Sequence, residues 1–64
     1  MSNQGDFFIL LLERYAEYKN KSGAEVLKMF HSHQLIDYIY GMYELYHIED
    51  IRNAFEDLDE KIGW

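Results

Sequence analysis

The chain has no cysteine and no proline, and only four glycines in 64 residues. Without cysteine there is neither a disulfide framework nor a thiolate metal site. Without proline or a Gly- or Ser-rich stretch nothing marks a linker, so a single domain is expected. Long apolar runs are missing too. Phe7 to Leu12 is the longest such run near the start, is preceded by Asp6 and has no basic flank. It is too short to span a bilayer and does not resemble a secretory leader, so a cytoplasmic protein is expected. Basic residues are few: six Lys and Arg stand against twelve Asp and Glu, for a net charge of −6. That balance disfavours direct binding to nucleic acid or to anionic lipid.

A chain of this length buries only about 60% of the surface its unfolded form exposes. Burial and chain entropy then nearly cancel. The composition offsets this, with 48% hydrophobic and 17% aromatic residues. Each aromatic ring adds a large buried area, and so apolar a chain is not a disordered one.

The periodicities indicate helices throughout. Residues 1–5 read as a loose tail, and residues 6–64 as one helical domain. Asp6 is placed to cap a first helix reaching about Asn20, with Phe8, Leu11, Tyr15 and Tyr18 as its inward stripe. Glu17 and Lys21 stand four apart in the favourable order. Ser22-Gly23-Ala24-Glu25 has the form of a capping box. In the helix it opens, Val26, Leu27 and Phe30 face inward, Met29 lies at the margin, and His31 and His33 close the end. Leu35 to Tyr46 is apolar nearly all round, with Asp37, Gly41 and Glu44 as one narrow polar strip. Strict alternation fails there, so a helix is favoured over a strand, and it belongs at the centre of a bundle. Gly41 within it suggests a close helix approach, because glycine weakens a helix by about 1 kcal/mol relative to alanine. Asp50 caps a last helix with Ile51, Phe55, Leu58 and Ile62 on its inner face. Gly63 suits the left-handed residue past its end, and Trp64 is placed to fold back over Leu58. The expectation is an all-α protein: a compact small bundle of four helices.

Candidate chemistry is sparse. On a helix His31 and His33 point to nearly opposite sides and cannot share a metal. Were the chain to leave the helix at Phe30 they could converge, with His47 and Glu49 or Asp50 to complete a site, but no spacing suits a structural zinc site. Ser22 is used as a cap, and there is no phosphate loop, nucleophile elbow or HExxH. Catalytic, cofactor-binding and metal-ligating residues are therefore assigned to none, and no enzyme is expected. Most of the six tyrosines fall on inward faces, with their hydroxyls reaching the rim; Tyr40 and Tyr46 are the ones a domain this small has most difficulty burying.

Two surfaces remain as candidate binding sites. Ile9 and Leu10 lie on the same side of the first helix as Glu13 and Glu17, away from the inward stripe. Either they form an exposed apolar patch for a partner or another copy, or the helix begins later and they pack inside. The second surface is acidic. Between Tyr43 and Trp64 lie seven acidic residues against Arg52 and Lys61, five of the six excess negative charges. Glu49, Glu56, Asp57, Asp59 and Glu60 form its candidate partner-binding face, and solubility alone is the plain alternative.

Several segments together resemble a known family. They are Phe8 with Leu12-Glu13 and Tyr15, Ser22-Gly23-x-Glu25-Val26 with Phe30, and Asp37-Tyr38-Ile39. Tyr43-Glu44 with His47 follows, and then Ile51, Ala54 and Asp57-Leu58. The chain is similar to short, all-helical bacterial proteins of unknown function (DUF3791), often encoded beside a predicted ADP-ribosyltransferase-like protein in what look like toxin-antitoxin loci. It departs from the pattern at Ile48, where threonine usually follows the histidine. The resemblance implies no catalytic residue. It implies an antitoxin-like accessory protein that binds and neutralises a partner encoded nearby, such as an ADP-ribosyltransferase-like toxin. The alternative is a nucleic-acid mimic that inhibits a DNA-binding effector, of phage or anti-defence type.

Overall fold

A computed structural model describes residues 3–64 and shows five helices and no strand among them. The all-α expectation holds, with one helix more than the pattern implied. Met1 and Ser2, part of the expected tail, lie outside the described residues.

The first helix, α1 (Gln4–Lys19), starts two residues before its expected cap. Asn3 Oδ1 accepts the Asp6 N–H at 2.9 Å. Asp6 sits in the first turn, where its charge suits the positive end of the dipole. Gln4 and Gly5 are thus helical. The helix closes at Asn20, which takes the left-handed conformation (φ 57°), and the Lys21 N–H reaches back to the Ala16 carbonyl at 2.8 Å. Phe8, Leu11 and Tyr15 are buried as the stripe required, together with Phe7 and Ala16. Tyr18 is not buried: it is exposed at the edge of the stripe, with its ring stacked on Phe55 at 4.8 Å.

The second helix, α2 (Gly23–Ser32), begins where Ser22 Oγ accepts the Glu25 N–H at 3.1 Å. Half of the capping box is present. The Glu25 carboxylate meets Lys21 Nζ at 3.6 Å, so Lys21 pairs forward with Glu25 and not back with Glu17. Val26 and Phe30 are buried, whereas Leu27, expected inward, is exposed. Gln34, at φ 59°, reverses the chain after α2.

The segment expected as one central helix is two: α3 (Ile36–Gly41) and α4 (Tyr43–Ile48), with Met42 between them. The Met42 N–H bonds the Tyr38 and Ile39 carbonyls, closing α3 tightly. An all-apolar helix would leave most of its circumference uncovered in so small a domain. Breaking it lets Leu35 and Ile39 on one side of Met42 and Tyr46 on the other each reach the core. Gly41 marks the weak point. A Cβ there would meet nothing within 4 Å, so close helix approach is not its purpose.

The central element is α1, which packs against α2, α3 and α4. The last helix, α5 (Ile51–Ile62), is capped by Asp50 Oδ1, which accepts the Arg52 N–H at 3.0 Å. It buries Ala54, Phe55, Leu58 and Ile62, and Gly63 ends it in the left-handed region at φ 86°. Trp64 folds back to stack on Tyr15 at 6.1 Å, with Lys21 Nζ 4.6 Å from its ring centroid. Tyr15 is therefore the hub of the core, touching Phe30 of α2 at 5.8 Å and Phe55 of α5 at 5.5 Å as well.

Candidate interaction surface

The outer side of α1 carries the first candidate pair. Ile9 and Leu10 are 55% and 43% exposed, so of the two readings of this helix the outward one describes the domain. Glu13 and Glu17, one and two turns on, are also exposed. They set an acidic border along an apolar start.

The five residues of the candidate acidic face divide into two groups. Glu49, Glu56 and Glu60 are exposed. Asp57 and Asp59 turn towards the domain. Asp57 Oδ2 accepts hydrogen bonds from the Tyr38 hydroxyl, at 2.6 Å, and from the Tyr46 hydroxyl. Its Oδ1 accepts from Lys61 Nζ at 3.1 Å. Asp59 Oδ1 accepts from the Tyr15 hydroxyl at 2.6 Å and pairs with Lys19 Nζ at 3.2 Å. These two carboxylates fasten α1, α3 and α4 to α5. They also satisfy hydroxyls that would otherwise be costly to bury.

The electrostatics follow the geometry. Partial burial pushes the Asp57 carboxyl up, but the bonds from Tyr38, Tyr46 and Lys61 outweigh it and hold it below the usual carboxylate range. Tyr46 and Tyr15 are both raised far above an ordinary phenol, first by burial and then by the hydrogen bond each makes to Asp57 or Asp59. Asp50 is lowered mainly by its bond with the Arg52 side chain.

Among the described residues no three His, Cys, Asp or Glu side chains come together as metal ligands. His31 and His33 are exposed; His33 closes α2, with its Nδ1 3.1 Å from the Met29 carbonyl oxygen. His47 packs its ring beside Phe7 and Tyr43, at 6.5 and 5.0 Å. Of the two tyrosines hardest to bury, Tyr46 is buried and Tyr40 is exposed.

A third surface is not among those the sequence pattern singles out. On α4, Leu45 and Ile48 are 46% and 78% exposed, and they share a shallow hollow with Tyr43, Glu44 and His47. The signal for it was present: a segment apolar all round cannot be covered on every side by a domain of this size.

The matched family model spans residues 6–63, from the first turn of α1 to the glycine that ends α5, and is described as a protein of unknown function (DUF3791). The chain belongs to this family. Neither a curated protein nor a solved structure matches it significantly. All the segments that carried the resemblance lie within the matched span. No helix among the described residues is long and apolar enough to cross a membrane.

Proposed function

We propose that this member of the family is a cytoplasmic protein-binding module, an antitoxin-like accessory protein that silences a partner encoded nearby, such as an ADP-ribosyltransferase-like toxin. It acts by binding and carries no catalytic residue. The observation that supports this reading most is the exposure of Ile9 and Leu10 on a helix whose other side already fills the core. Apolar side chains held outward on a rigid helix are suited to be covered by a partner.

The acidic face plays a secondary part in this reading. With Asp57 and Asp59 engaged inside the domain, Glu49, Glu56 and Glu60 are the outward charges of the candidate face. Three carboxylates make a poor copy of a phosphate backbone, which disfavours the nucleic-acid mimic. They suit steering towards a basic surface, where charges at the rim change association rate more than final affinity.

The test is a salt titration of binding kinetics with the purified product of the adjacent gene. Replacing Glu49, Glu56 and Glu60 by glutamine should slow association by roughly tenfold at low salt. It should flatten the salt dependence and leave inhibition largely intact. Complete loss of inhibition in a folded triple variant would instead promote the mimic.

A further inference from the structure

The domain carries two exposed apolar surfaces whose borders have opposite charge. One is the outer face of α4, where Ile48 projects beside Leu45, with Glu44 one turn earlier and Glu49 directly after. The other lies between α2 and α3 and is lined by Ala24, Leu27 and Ile36, with Lys28 and His31 at its border. Among the described residues neither Glu44 nor Lys28 has an ion-pair partner of its own.

The α4 face is a poor match for itself. A two-fold contact through it would gather the Glu44 and Glu49 carboxylates of both copies into one small interface, and a two-fold interface must be self-complementary. The α2–α3 hollow would likewise bring Lys28 near Lys28. Crosswise, the match is good: a projecting isoleucine faces a depression floored by alanine, leucine and isoleucine, and a glutamate border faces a lysine. The helical spacings agree as well. Glu44 and Ile48 are one turn apart on α4, as Ala24 and Lys28 are on α2, and residues four apart lie on one side of a helix.

We propose that a second copy of the chain docks here head to tail, with Ile48 of one copy seated in the Ala24/Leu27/Ile36 hollow of the next. This goes beyond the partner-binding reading and does not depend on it, since Ile9 and Leu10 take no part. Because the two surfaces differ, every open assembly still presents one of each at its ends, and the contact propagates into a ring or an open chain. A single projecting side chain with a charged border gives a weak contact, with a dissociation constant on the order of 0.1 to 1 mM.

Sedimentation equilibrium at millimolar protein tests it. The average mass of the unmodified protein should climb well above the 7.8 kDa of one chain. Ile48→Glu and Leu27→Glu, both at exposed positions and verified as folded by circular dichroism, should each remain monomeric. Their equimolar mixture should then form a species of twice the single-chain mass and stop there, because the intact hollow of the first variant receives the intact Ile48 of the second. A monomeric parent would overturn the proposal. So would single variants that assemble as the parent does, or a mixture that stays monomeric.

Discussion

Phe55→Ala should strongly destabilise the domain and lower its melting temperature. Phe55 is 5% exposed, and its ring lies between those of Tyr15 and Tyr18, at 5.5 and 4.8 Å. Truncating a buried phenylalanine costs about 3 to 5 kcal/mol, the lost transfer energy plus the cavity left behind. A domain of this length has a total stability of only about 3 to 10 kcal/mol at typical values per residue. The variant should therefore melt at least about 12 °C below the parent. A midpoint within a few degrees would mean that the Tyr15-centred core does not carry the fold.

Asp57→Asn should weaken the domain at neutral pH and also change how it responds to acid. The carboxylate receives two tyrosine hydroxyls and Lys61. The folded form holds its pKa below the usual range. Its contribution is thus fully present above the unfolded value of about 3.9, and is lost as pH falls through the lower folded value. Asparagine offers an acceptor without the charge, and hydrogen bonds to a charged group are worth about 1.5 to 3 kcal/mol. The substitution should cost about 2 to 3 kcal/mol at pH 7, by the same principle. Below about pH 4 the parent should lose this advantage, so that the two unfolding midpoints converge. Glu56→Gln is the control, since Glu56 is exposed, and should shift the midpoint little. Equal behaviour of the two variants in urea melts across pH would show that Asp57 does not fasten the helices.

The parts of the fold that were legible in the sequence are local ones. Ser22 and Asp50 each cap a helix through an amide two or three residues away, so their sequence signals fall within a single turn. The Ile51/Phe55/Leu58/Ile62 period places the inner face of α5 without reference to anything else, and Gly63 announces its end. What was not legible depends on distance. The tyrosine partners of Asp57 and Asp59 lie between 11 and 44 residues away. From the sequence these two acids were therefore indistinguishable from Glu56 and Glu60, although the high density of tyrosine hinted that hydroxyls would need acceptors. The break at Met42 was hidden for a different reason. A segment apolar all round has no phase, and only the packing of α3 and α4 onto α1 decides where it turns. Tyr18 and Leu27 show the same limit on a smaller scale: each sits at the edge of an apolar stripe, where the position of a neighbouring helix determines its burial. The candidate site was half legible. A helical wheel places Ile9 and Leu10 outward, but α4's exposed Leu45 and Ile48 follow only from the broken helix.

The central claim is that the domain works by binding a partner through the exposed Ile9/Leu10 patch on the outer side of α1, and the measurement that tests it most directly is neutralisation by an Ile9→Lys/Leu10→Lys variant. Both residues are exposed, so the variant should match the parent in its dichroism spectrum and melting temperature. Co-expressed with the product of the adjacent gene, it should fail to restore growth that the parent restores, and purified it should no longer bind that product. A folded variant that still neutralises as well as the parent would contradict the account.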